Sequence, residues 1–192
     1  MKKTAKILSV LLALALLCTG LVFAVFAESD NAVRVTHSDG TSLEYATYDE
    51  AWNKIKTGDT ITLLNNTTGA AHGVGEGIEV TVDLNGFTLD GTDSGSFLFN
   101  VSGTLNVVGE GKIISSGTKG KGIVFIGADK PDAKVTVNGG AKGIEIIGAG
   151  SSNVAFYAVS GSISLTKVEV NYDLTAGSEG LIKAEGEGSI DL

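Results

Sequence analysis

The chain is short of the residues around which small-site chemistry is usually built. Its 192 residues contain one Cys, one Pro, one Met, one Trp and, in Arg34, one arginine. Cys18 lies in an apolar stretch near the N-terminus, so the remainder can hold no disulfide framework, no Cys-ligated zinc or iron–sulfur site and no thiol nucleophile. Positive charge is also scarce, with 14 Lys and Arg against 22 Asp and Glu and a formal net charge of −8. Phosphate contacts need a basic surface, so a nucleic-acid partner is not expected. Glycine is what abounds: 27 residues, well above the usual share.

The N-terminus carries an address. Met1-Lys-Lys-Thr-Ala-Lys6 is a basic start, Ile7 to Ala27 is apolar, and polar Glu28-Ser-Asp-Asn31 follows at once. Val25-Phe-Ala27 places small residues at −3 and −1 of a cut before Glu28, which is the pattern of a cleaved signal peptide. The run is also long enough to span hydrocarbon, but Thr19-Gly20 and the cleavage triplet favour removal over an uncleaved anchor. Leu17 stands before Cys18 where a lipoprotein signal needs a small residue. Residues 1–27 are therefore expected to be a signal peptide, the mature protein to be secreted or on the cell surface, and the leader to be its only route to a membrane. Loss of Lys2, Lys3 and Lys6 takes the mature net charge to −11.

Residues 28–44 read as an N-terminal segment in which alternating Ala32-Val-Arg-Val-Thr36 suggests a short strand. The domain proper is expected over 45–192. It opens with a helix over 47–56, where Thr47 and Glu50 form a capping box and Tyr48, Ala51, Trp52 and Ile55 make one apolar stripe, ended by Gly58. Everything beyond reads as short strands between Gly, Asn, Asp and Ser turns. These strands repeat in threes. Phe97–Val101, Gly103–Val108 and Lys112–Ser115 are followed by Gly122–Ile126, Ala133–Asn138 and Gly143–Ile147, then by Val154–Val159, Gly161–Leu165 and Val168–Tyr172, and a fourth unit opens at Leu181. Leu105 and Val107, Val135 and Val137, and Ile163 and Leu165 would point inward, with Asn106, Thr136 and Ser164 outward. No single triplet can bury its apolar side alone, so stacked turns of a solenoid are expected rather than hairpins or a sandwich. Pro131 falls in extra residues at 127–133, suited to a loop off a corner.

The stretch Thr47 to Leu64, with Gly58-Asp-Thr-Ile61, and then Val82-Asp-Leu-Asn-Gly-Phe-Thr-Leu89, resembles the opening of secreted right-handed parallel β-helix proteins of the pectate-lyase-like superfamily, common among bacterial surface and adhesin-like proteins. The resemblance implies an all-β, right-handed parallel β-helix of about four to five rungs, with helix 47–56 as an N-terminal cap, Trp52 and Ile55 lying over Ile61 and Leu63. Its motifs specify a fold and no activity.

Lyases of this superfamily resemble one another in pairing an Arg base with calcium-binding aspartates, and hydrolases of the fold use clustered aspartates. Arg34 precedes the helix, and the outward acids Asp83, Glu145, Glu169, Glu185 and Asp191 read as single, solvated groups. Asp90 and Asp93 sit in a Gly-rich turn that could hold calcium but lacks the EF-hand spacing. His72-Gly-Val-Gly-Glu-Gly77 reads as a mobile loop, and His37 and His72 as isolated histidines without metal partners. Asn65 to Thr68 and Asn100-Val-Ser102 match a glycosylation pattern that matters only in a eukaryotic route. One outward aromatic is foreseen, Tyr157 or its neighbour Phe156, and a sugar-binding face usually needs several rings in a row. No catalytic, cofactor-binding or metal residue is therefore expected, and no cofactor.

Ser189-Ile-Asp-Leu192 reads as the second strand of a further coil with no polar cover after it, which suggests an incomplete domain or a self-associating end. The expected function is a non-catalytic surface protein binding an extracellular glycan or protein. The alternatives are a fragment of a polysaccharide lyase or glycoside hydrolase, and an end-to-end self-assembling structural module.

Overall fold

A computed structural model describes residues 31–91, 96–116, 122–150, 154–174 and 181–192; the leader and Asp93 lie outside them. The described chain begins with the hairpin β1 (Val33–Thr36) and β2 (Ser42–Tyr45), then the short helix α1 (Tyr48–Trp52). It next winds through triplets of strands. The first is β3 (Asp59–Leu63), β4 (Thr67–Thr68) and β5 (His72–Val74); the second is β6 (Glu79–Asp83), β7 (Thr88–Asp90) and β8 (Phe97–Val101). The third is β9 (Thr104–Val108), β10 (Gly111–Ser116) and β11 (Gly122–Ile126). The fourth is β12 (Lys134–Asn138), β13 (Ile144–Gly150) and β14 (Phe156–Ala158). Then come β15 (Ser162–Thr166), β16 (Val168–Leu174), β17 (Ile182–Ala184) and β18 (Ser189–Asp191).

From β3 onward each strand pairs in parallel with the strand three places on, and three sheets result. Sheet A runs β18-β15-β12-β9-β6-β3-β1-β2, sheet B β16-β13-β10-β7-β4 and sheet C β17-β14-β11-β8-β5. Five strands in each of sheets B and C put about four turns between the first and the last. The protein is an all-β parallel solenoid.

The reason lies in the alternation. Leu105, Val135 and Ile163 are register partners, as are Val107, Val137 and Leu165, and all six are buried. Like stacks on like along the axis, each side chain contributing roughly 1.5–3 kcal/mol through burial. Sheet C departs from strict alternation. Leu98 and Phe99, Ile123 and Val124, and Ala155 and Phe156 are inward in succession, so each strand there bends before its next residue turns out.

The N-terminal segment is not separate from the solenoid. β1 lies antiparallel to β3, Val33 opposite Leu63 and Val35 opposite Ile61, with both valines at 0% exposure. The boundary expected at 44/45 therefore divides a sheet. β2 carried no apolar signal to read, since Ser42, Leu43 and Glu44 are exposed. The helix is shorter than the expected 47–56. Thr47 is its N-cap, Oγ1 accepting Glu50 N–H at 3.1 Å, and Tyr48, Ala51 and Trp52 are its buried stripe. It ends at Trp52 because the Asp59 carboxylate takes the Lys56 N–H at 2.7 Å and draws the chain into a turn.

Candidate functional site

The three outer faces differ in what their side chains already hold. On sheet A, Thr60, Thr81, Asn106, Thr136, Ser164 and Asp191 form one outward column, each opposite the next. Asn106 donates to Glu79 at 3.3 Å. Asp83, one column over, accepts Asn85 N–H at 2.9 Å and closes the turn after β6.

Sheet B corrects the expectation of single acids. Glu145 and Glu169 are opposite each other on β13 and β16, and Lys112 is opposite Glu145 on β10. Lys112 Nζ lies 2.8 Å from Glu145 Oε2, and Asn171 Nδ2 donates to both glutamates at 3.3 Å. The Lys112 ammonium, helped by Asn171, holds the Glu145 carboxyl below its ordinary range. Two carboxylates are thus gathered, but as an internally tied polar ladder.

Sheet C carries the row that sequence reasoning missed. Asn100, Phe125, Tyr157 and Lys183 are successive register partners facing outward, with Phe156 fully buried beneath. Phe97 joins them diagonally, its ring lying over Gly122, where a Cβ would stand 2.7 Å from the ring. Phe97 and Phe125 have centroids 5.2 Å apart at 23°, and Phe125 and Tyr157 5.3 Å apart at 50°. Lys183 Nζ sits 5.0 Å from the Tyr157 centroid and 2.7 Å from Glu185 Oε1. The Tyr157 hydroxyl donates to Glu185, whose carboxyl is held low by Lys183 first and by that hydroxyl second. Three part-exposed rings stand where one was foreseen. The signal lay in the stacked repeats, where Asn100, Phe125 and Tyr157 share a position, but the bend hides which residue faces out.

An acidic margin borders this row at the corner leading to sheet A. A polar cleft of about 460 Å³ there is lined by Glu76, Glu79, Asp129, Lys130 and Asp132 among others. Lys130 bridges to Glu76 at 2.5 Å and lowers its carboxyl.

The histidines are not isolated. His37 Nδ1 is 2.8 Å from Asp59 Oδ2, and His72 Nε2 is 2.8 Å from Asp49 Oδ1. His72 begins strand β5 opposite Phe99, so the expected loop at 72–77 starts as paired sheet. Its ring stacks on Trp52 at 4.7 Å beside the buried Tyr48, whose hydroxyl has no partner and is pushed well above its usual range by burial. Among the described residues no group of three His, Cys, Asp or Glu is placed to hold a metal. The calcium expectation falls partly outside them, at Asp93; Asp90 lies on β7. The asparagines of the glycosylation patterns serve the backbone: Asn65 donates to Asn31 O, Asn66 accepts Thr88 N–H and Asn100 donates to Phe97 O. Among the described residues no helix is long and apolar enough to cross a membrane.

Comparison of the chain with protein-family models, with curated proteins and with solved structures finds no match.

Proposed function

We propose that this chain is a secreted, non-catalytic binding module of the bacterial surface, and that the outer face of sheet C is its contact face. In this reading the coil is a right-handed β-helix of the pectate-lyase-like type, the hand that parallel crossovers almost always take. The helix α1, through Tyr48 and Trp52, covers the interior of the first turn and spares it an open end. The address rests on the leader, whose basic start and Val25-Phe-Ala27 triplet fit signal-peptide cleavage.

The observation that carries the proposal is the contiguous row Phe97, Phe125 and Tyr157 on a solvent-facing sheet. Rings grouped at a surface, rimmed by polar groups, mark places where macromolecules meet. The glutamate pair on sheet B favours an enzyme reading less well. A glycosidase acid needs a raised pKa, and Lys112 pushes Glu145 the other way. Arg34, the residue a lyase would use as base, is committed to Glu44 at 2.7 Å on the hairpin.

Two measurements test this. The secreted protein should begin at Glu28 and bind glycan-array or matrix-protein surfaces, with binding reduced in Phe125→Ala and Tyr157→Ala. It should release no reducing or unsaturated sugar from polysaccharides. Sugar release, or binding indifferent to both substitutions, overturns the reading.

A further inference from the structure

Ring orientation on sheet C separates a sugar ligand from a protein one. A sugar stacks its C–H groups on an open aromatic face. Here Phe97 and Phe125 turn their faces toward one another, and Tyr157 stands tilted at 50° to Phe125. Near-parallel rings with centroids 5.2 Å apart, as Phe97 and Phe125 are, overlap in an offset stack and cannot lie side by side. Phe125 is flanked by Tyr157 on its other side, and Tyr157 has the Lys183 ammonium over its ring. What Phe97 and Phe125 present outward is therefore ring edges, whose hydrogens carry partial positive charge and favour the face of another aromatic ring.

The row is also held in place before any partner arrives. Tyr157, Glu185 and Lys183 close a triangle: hydroxyl to carboxylate, carboxylate to ammonium, ammonium over ring. Anchors fixed in this way lose little freedom on binding. Beside them Lys130 and Lys183 already hold Glu76 and Glu185, while the exposed acids Asp129, Asp132 and Glu187 line the same corner, in a chain of net charge −8. A partner must bring aromatic groups to meet the edges and positive charge to meet the acids.

Resting on the binding-module reading above, we infer that Phe97, Phe125 and Tyr157 form a docking surface for a protein segment bearing aromatic side chains together with Lys or Arg.

The test uses the full secreted protein and a displayed random-peptide library. Selected peptides should combine Trp, Tyr or Phe with Lys or Arg. A synthesised winner should bind about tenfold more weakly to Tyr157→Ala and to Phe125→Ala, and more weakly at raised salt. Thr136→Ala and Ser164→Ala, on sheet A, should leave it unchanged. Because the ring variants could fail to fold, the unsubstituted protein supplies a second readout: the ring proton resonances of Phe97, Phe125 and Tyr157 should shift on peptide addition. Winners lacking aromatic residues, or shifts confined to sheet A, overturn the inference. If a neutral oligosaccharide moves the ring resonances and peptides do not, the contact face stands and the protein partner falls. If neither moves them, both fall.

Discussion

Asp59 is the one buried carboxylate among the described residues, at 1% exposure, and its two oxygens are fully engaged. They accept the Lys56 N–H at 2.7 Å, the Ser38 N–H at 3.3 Å and a contact from His37 Nδ1 at 2.8 Å. The side chain thereby ties the β1–β2 turn and the chain after α1 to the first strand of the coil. Asp59→Ala strands these donors and should cost about 3 kcal/mol, whereas Asp59→Asn keeps one acceptor and should cost less. Urea midpoints at constant slope would check both. His72 makes a pH-dependent counterpart. Burial lowers its pKa below the ordinary 6.5, against the smaller opposing pull of the Asp49 hydrogen bond. The unfolded chain then takes the proton more readily. Stability from this site is full above about pH 6.5 and declines as the pH falls through the depressed value. His72→Gln should flatten the acid side of the stability profile, read by denaturant titrations across that range. An unchanged slope would assign the acid sensitivity to other groups. Neither pairing could be read from the sequence, because His37 and Asp59, or Asp49 and His72, meet only when the chain has turned.

The strands themselves were legible. Inward Leu105 and Val107, Val135 and Val137, and Ile163 and Leu165 alternate with polar residues, and the threefold repeat lines them up without any structure. What stayed hidden is instructive about elements. β2 exposes its side chains, so no burial pattern marks it; α1 ends early through a carboxylate seven residues past its last turn. The aromatic row and the Glu145–Glu169 pair come from different turns, and each needed the register before it could be seen. Corners matter as much as strands. A Cβ on Gly103 would stand 2.2 Å from Gly75 O and 2.4 Å from Ile78 O, both backbone atoms of the preceding turn. Gly103→Ala should therefore destabilise by about 3 kcal/mol or more, through backbone that cannot yield. Gly73→Ala is the control: its nearest contact would be 3.8 Å away, and the change should fall within about 0.5 kcal/mol of neutral. Thermal unfolding of the two variants side by side gives the comparison.

Across the whole molecule, each turn touches only its neighbours, so stability is a sum of turns and of the interfaces between them. Lys134 occupies the register position of Thr104 one turn on, and Val135 and Val137 that of Leu105 and Val107. Removing residues 104–133 would join Gly103 to Lys134 and set β6 beside β12, β7 beside β13 and β8 beside β14. The shortened chain should keep its parallel-sheet circular dichroism and unfold cooperatively at a lower temperature. A disordered product would show that the turns are not exchangeable. The long corner at 127–133 between β11 and β12 is tied to the next turn by the Lys130 N–H, which donates to Ser160 Oγ at 2.9 Å. Interchangeability of this kind makes the coil a ruler. Gene duplication or loss of one unit would lengthen or shorten the rod by about 4.8 Å, changing the separation of its two ends in fixed steps while the path of each remaining turn stays the same.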